Sequence, residues 1–210
     1  MRHFKTLIVA GLAALSLVTL PTQAATVLLQ DNFNTDSAAS VLNFNTLNNW
    51  TVSNGAIDYI RNGGFGISCF GAGGCVDLDG STGDGGRMTS KSVFNLLSSE
   101  TYRFSLDVSG NQRNGAADSF VFGILGIGFD SPSPLNANAP FSTYIWEVSG
   151  VSLTAAQLYV ETSSADNVGV IVDNVLFECL TCQNNNVPEP SVLALIGLGL
   201  LGLGFARKRA

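Results

Sequence analysis

Past residue 24 the chain contains no histidine; the only one, His3, sits near the very start. That absence excludes Ser-His-Asp triads, Cys-His nucleophiles, histidine zinc sites and histidine general bases from everything after the first segment. Positive charge is also scarce. Residues 114–188 hold no lysine or arginine, and residues 25–188 set Arg61, Arg87, Lys91, Arg103 and Arg113 against fifteen acidic residues, a net charge of −10 where the whole chain carries −6. So acidic a surface repels phosphate backbones and excludes nucleic acid as a partner, while it suits calcium or another hard cation. Helical periodicity is weak too, with single-turn candidates only at residues 36–42 and from Thr154.

Both ends of the chain read as addresses. Arg2, His3 and Lys5 precede an apolar run over residues 7–20, and small residues at Thr22 and Ala24 follow. This is the pattern of a secretory signal peptide, with cleavage predicted between Ala24 and Ala25. An exported chain meets an oxidising compartment, so its four cysteines read as two disulfides. Three connectivities are open to four cysteines. The spacing favours Cys69 with Cys75, closing a glycine-rich loop, and Cys179 with Cys182 at the end of the last strand. No helical pattern follows Cys179-Leu180-Thr181-Cys182, which argues for a structural pair over a catalytic dithiol.

The middle, residues 25–182, is predicted to be all-β. Ten strand signals, at residues 26–29, 50–52, 57–60, 75–78, 87–94, 102–108, 119–125, 143–148, 157–161 and 168–177, are separated by Asn- and Gly-rich turns. In Tyr102-Arg103-Phe104-Ser105-Leu106-Asp107-Val108 every second residue is apolar, so one face meets a core and the other meets water. The expected fold is a two-sheet, jelly-roll-like sandwich, with an N-terminal signal helix and a C-terminal hydrophobic helix. A polar spacer at 183–186 precedes the terminal segment, residues 187–210.

That segment opens with Val187-Pro188-Glu189-Pro190. Fifteen uncharged residues follow at 192–206, including Gly197, Gly199, Gly202 and Gly204, and Arg207-Lys208-Arg209 form a basic tip. As a helix the apolar run would reach roughly 22 Å, short of the ~30 Å hydrocarbon core, with its basic tip on the cytoplasmic side. The three parts in this order resemble the PEP-CTERM sorting signal of Gram-negative bacteria. The resemblance implies brief retention in the inner membrane and recognition by an exosortase, a membrane cysteine peptidase. Cleavage near Pro188–Pro190 would then pass the domain to the cell surface or an exopolysaccharide matrix. The chain would be a peptidase substrate, not a peptidase.

Within the domain, Asp77, Asp79 and Asp84 punctuate a Gly-rich stretch and invite a calcium reading. The spacing fails the EF-hand pattern, because Thr82 stands at its sixth position and Met88 at its twelfth. A strand running into a turn with local hydrogen bonds is the competing reading. This stretch, together with residues 92–96, 101–111 and Val172-Asp173-Asn174-Val175, is similar to galactose-binding-like jelly-roll domains of exported and cell-wall proteins. That resemblance implies adjacent first and last strands, often bridged by a structural calcium, and carries the ligand role to Asp31 and Asp173. Turn capping and surface charge are the alternative for both residues. Trp50 and Tyr59 offer flat faces for stacking on sugar rings. Trp146 alternates with Tyr144 and Val148, a spacing more typical of a core face. Glu147 and Glu161 are the acids a carboxylate-based glycosidase or lyase would pair. The leading expectation is a non-catalytic, structural or adhesive surface protein that binds polysaccharide; the competing one is a carbohydrate-active enzyme.

Overall fold

Alternating apolar residues organise the structure, a computed structural model that describes residues 24–113, 115–164, 166–182 and 196–197. The signal peptide, the polar spacer and the sorting segment lie outside the described residues, apart from Ala24, Ile196 and Gly197. Gln23–Asn184 forms a compact unit by itself.

Thirteen strands are described in it: β1 Thr26–Asp31, β2 Trp50–Ser53, β3 Asp58–Arg61, β4 Gly74–Asp77, β5 Arg87–Ser90, β6 Phe94–Leu96, β7 Thr101–Ser109, β8 Phe120–Ile124, β9 Gly128–Asp130, β10 Ser142–Ser149, β11 Leu153–Ala156, β12 Leu158–Thr162 and β13 Ile171–Cys179. One sheet of six runs β10-β7-β13-β4-β3, with β1 also paired to β13. The other, of five, runs β2-β5-β12-β8-β9, and β6 with β11 makes a small ribbon. All these pairings are antiparallel. The expected all-β sandwich is therefore the fold.

The strand β7 shows why. Tyr102, Phe104, Leu106 and Val108 all point into the core, where Phe104 meets Phe122 of the opposing sheet edge-on at 5.3 Å. Each such ring contributes about 1.5–3 kcal/mol by leaving water. First and last strands are adjacent as the resemblance implies, Thr26 lying opposite Cys179 and Asp31 opposite Val175. Both favoured disulfides are formed, Cys69–Cys75 and Cys179–Cys182. The first sits in a second apolar cluster with Ile60, Ile67 and Ile171, beneath the β3–β4 loop.

Three local expectations fail. Residues 36–42 form turns and a bridge from Val41 to Tyr59, not a helical turn. Thr154 lies in β11, paired with β6. The single strand expected over 87–94 breaks after Ser90, whose hydroxyl turns to the Ser92 carbonyl at 2.8 Å and so draws the chain out of the sheet.

Candidate functional site

In the five-stranded sheet the residues between the core positions make an outward face. Register sets Thr51, Thr89, Tyr159, Gly123 and Phe129 side by side in one cross-strand row. Ser53, Arg87, Glu161 and Val121 make the next. At ~4.8 Å per strand the first row spans roughly 19 Å. Phe129 is 57% exposed, a large ring open to solvent. Gly123 makes room beneath: a Cβ there would stand 2.6 Å from Phe129 Cα and 2.2 Å from the Gly128 carbonyl oxygen.

The polar groups on this face are locked together. The Arg87 guanidinium lies 5.1 Å from the Tyr159 ring centre and donates to Glu161 Oε2 at 2.6 Å. Glu161 Oε1 accepts from Asn54 Nδ2 at 3.4 Å. Burial raises the Tyr159 hydroxyl above its ordinary pKa, Arg87 opposing and Glu161 assisting, so it stays a neutral donor. Beside Glu161 lies a shallow pocket of about 280 Å³ lined by Ser119, Val121, Thr162 and Ser163 among others. An open aromatic ring, a fixed ion pair and a row of hydroxyls are the groups that grip a chain of sugars: apolar faces for C–H groups, paired donors and acceptors for hydroxyls.

Opposite, on the outer face of the six-stranded sheet, Asp107 faces Asp173 across β7 and β13. A pocket of about 220 Å³ there is lined by Asp31, Asp107, Ser105, Thr143 and Asn174 among others. Asn174 takes a left-handed conformation (φ 46°) at a bulge, which turns its side-chain amide onto Asp107 Oδ2 at 2.9 Å. Thr143 donates to Asp107 Oδ1, and the amides of Asn174 and Phe70 donate to the two oxygens of Asp173. Burial pushes the Asp173 carboxyl up to about 7 against those amides, and Asp107 and Asp31 add to the rise.

The sequence-predicted residues divide. Trp50 and Tyr59 are fully buried and offer no stacking surface, which corrects that expectation. The Trp50 indole N–H donates to Asp31 Oδ2 and the Tyr59 hydroxyl to the Phe33 carbonyl, so these large rings with one polar handle serve the core. Tyr144, Trp146 and Val148 pack half-buried against that core, as their spacing indicates. Glu147 pairs with Arg103 on the outside of one sheet and Glu161 with Arg87 on the outside of the other. The sandwich thus separates the two acids, and they form no catalytic pair.

Of the two, Asp31 lines the acidic pocket and its charge bears on Asp173, but Asp31 spends its oxygens on the Phe33 amide, Asn49 and Trp50. Among the described residues no three carboxylates of this pocket bring ligand oxygens within 4.8 Å of one another. These donors do not make a calcium cage. Asp77 is buried, paired with Arg113 and held by the amides of Asp79 and Gly169; burial still drives its carboxyl up to about 8. Asp84 is exposed in the turn. Asp77 and Asp79 clip the 166–169 segment, so the strand-and-turn reading describes Asp77 better than a loop of three metal ligands does.

Comparison with known proteins bears on the tail first. Residues 186–209 match the family described as the PEP-CTERM protein-sorting motif. The chain carries a PEP-CTERM sorting motif. That marks a protein exported and sorted to the cell envelope. No curated protein matches the sequence. The sandwich is similar to the CBM22-1 xylan-binding domain of Paenibacillus barcinonensis Xyn10C, at 12% identity and a TM-score of 0.52 over 78% of this chain and 100% of that one. It is also similar to the CBM22-1–CBM22-2 tandem of the same protein (14%, 0.51, 82% of this chain and 50% of that). A third likeness is to an arabinose-bound α-L-arabinofuranosidase, MgGH51, at 12% and 0.54 over 75% of this chain but only 27% of that one. At such identities the likeness is one of fold.

Sequence reasoning missed Arg87, Phe129 and Tyr159. The signal for Tyr159 was present: in Leu158-Tyr159-Val160-Glu161 alternation puts Tyr159 and Glu161 on the face opposite the core.

Proposed function

We propose that this protein is a non-catalytic polysaccharide-binding module, delivered to the cell surface or exopolysaccharide matrix after an exosortase removes its tail, and that the outer face of the five-stranded sheet is its glycan-binding surface. The observation that carries the reading is the exposed Phe129 ring, set in one row with Gly123 and the buried Tyr159, with the partly exposed Arg87–Glu161 pair beside it. The row is exposed at its two ends, at Thr51 and Phe129, and closed at its centre, where Tyr159 is buried, so contact with a glycan falls on the Phe129 edge. The face is also balanced in charge, which suits a neutral glycan. The xylan-binding domain that shares the fold supports the choice of ligand class.

Affinity electrophoresis of the full chain in gels containing xylan, arabinan or β-1,3-glucan tests this. Retardation by one of them that weakens about tenfold in Phe129→Ala and Glu161→Ala supports the reading; equal mobility of wild type and both variants in every gel rejects it. Delivery is tested separately, by cell fractionation with intact-mass analysis of wild type and Glu189→Ala. Loss of the tail and appearance at the surface, both blocked by the substitution, is the expected result. An intact C-terminus in the inner membrane would make the tail a plain anchor.

Asp107 and Asp173 favour a second, catalytic reading, because a raised carboxyl beside another acid is what glycoside cleavage uses. Their exposures of 8% and 2%, and the donors held on all four oxygens, leave little access for a scissile bond, so binding is the better supported of the two.

A further inference from the structure

The strand β10 ends the six-stranded sheet, and its outer edge is bare. It runs eight residues, Ser142-Thr143-Tyr144-Ile145-Trp146-Glu147-Val148-Ser149, and pairs with β7 over all of them in a single register without a bulge. Among the described residues no main-chain hydrogen bond of this strand runs anywhere but to β7, so the N–H and C=O groups on its other side point away from the sheet. Such a row is a template for another strand, and folded proteins blunt it with short edges, bulges, lysine or proline. The other edges of the two large sheets show these devices. The strand β1 shifts register between Val27 and Leu29, β3 has four residues and is bridged at Tyr59 by Val41, and β2 and β9 have four and three residues. In β10 there is no lysine, arginine, proline or glycine, and its one charge, Glu147, is already paired with Arg103 at 2.7 Å.

The side chains match the bare edge. Ile145 is 53% exposed on the outer face, while Tyr144, Trp146 and Val148 stay half-buried although they pack against the core. The strand is also complementary to itself. In an antiparallel two-fold pairing centred on Ile145, Ile145 meets its own copy, Tyr144 meets Trp146 and Thr143 meets Glu147, because opposite residues share a face. A centre on Trp146 would set Ile145 against Glu147, and a centre on Glu147 would set two carboxylates against each other. A centre on Tyr144 would shorten the overlap. Of these registers, the one at Ile145 joins apolar to apolar, ring to ring and the charge to a hydroxyl.

We propose that β10 pairs with β10 of a second copy of this chain about a two-fold axis at Ile145, joining the two six-stranded sheets into one. The contact is isologous and closes on itself, so assembly stops at a dimer. The axis stands perpendicular to the sheets, which leaves both five-stranded sheets on the same side of the joined one. Beneath β10 lies β9: a Cβ on Gly128 would stand 3.7 Å from Trp146 Cζ2. The exposed Phe129 edges of the two copies therefore flank one seam, and a single polysaccharide chain crossing it meets both, gaining avidity without a new kind of contact. That last consequence rests on the glycan-binding reading; the pairing itself does not.

The test is sedimentation equilibrium of the full chain in density-matched detergent, with Ile145→Lys as the comparison. Wild type is expected to be a dimer at micromolar concentration. Ile145→Lys sets two like charges face to face on the axis and should weaken the dimer about tenfold or more. Because it replaces an exposed side chain, it should leave the circular dichroism spectrum unchanged. Ile145→Cys should be joined into a covalent dimer by a short bismaleimide, and Val93→Cys, at a position 58% exposed between β5 and β6, should not. A monomeric wild type overturns the proposal, and so does a dimer that Ile145→Lys leaves intact or that cross-links as readily at Val93. Neither readout involves a glycan. A dimer with no retention in any polysaccharide gel thus rejects the glycan reading alone, and retention of a monomer rejects the pairing alone.

Discussion

Gly123 has no room for a side chain. A single methyl would press on the Gly128 carbonyl and on the backbone of Phe129, pushing β9 off the edge of its sheet. Gly123→Ala should therefore cost about 1–3 kcal/mol, read as a lower urea midpoint at constant slope, and should weaken glycan retention along with it. A variant as stable as wild type that binds as well would show that Phe129 does not depend on this close approach. Two aromatic rings are misjudged at the same scale. Trp50 and Tyr59 look like platforms because large aromatics serve cores and ligands alike. Which face they take depends on strand pairing: Trp50 shares β2 with exposed Thr51 and Ser53, and only register against β5 shows that it points inward. Phe129, in the three-residue strand Gly128-Phe129-Asp130, gives no periodicity to read.

At the scale of elements, length decided what could be read. The nine-residue strands β7 and β13 display their alternation, and each was legible within a few residues. The strands β6, β9 and β11 have three or four residues and owe their form to neighbours, so tertiary pairing overrode the weak helical signal at Thr154. The β3–β4 connection is a third case: its backbone is fixed by a cross-link, not by periodicity. Cys69–Cys75 holds a loop whose Phe70 amide reaches Asp173 and whose Phe70 ring meets Phe141 at 5.7 Å. Replacing both cysteines by serine should cost about 2 kcal/mol from the short loop released, and hydrogen exchange at the Phe70 amide should speed up more than at β7. Equal protection in both places would mean that Asp173 and the apolar cluster hold the loop without the disulfide.

For the whole molecule, electrostatics reverses the common pattern. Most folded domains lose stability in acid because their paired carboxylates must be protonated. Here every carboxyl among the described residues with a resolved shift moves upward: Asp36, Asp77, Asp118 and Asp173, each through burial first. The acid excess evident in the sequence foretold a crowded negative surface, but not that several of these acids would lie inside, because burial belongs to the fold. A carboxyl whose pKa is higher in the folded state holds its proton more tightly there. The stability it contributes is complete below the unfolded value of 3.8 and is lost as pH rises toward the folded value, about 7 for Asp173. In a chelator, to keep cations away, the melting temperature should accordingly fall from about pH 4 to about pH 7 through Asp173 and on to about pH 8 through Asp77, with Asp173 supplying on the order of a few kcal/mol of the change. Asp173→Asn keeps the shape without the titrating proton and should flatten that fall. Melting temperatures that climb with pH, or a slope that Asp173→Asn leaves untouched, would mean that burial does not hold the proton on Asp173 as its 2% exposure implies.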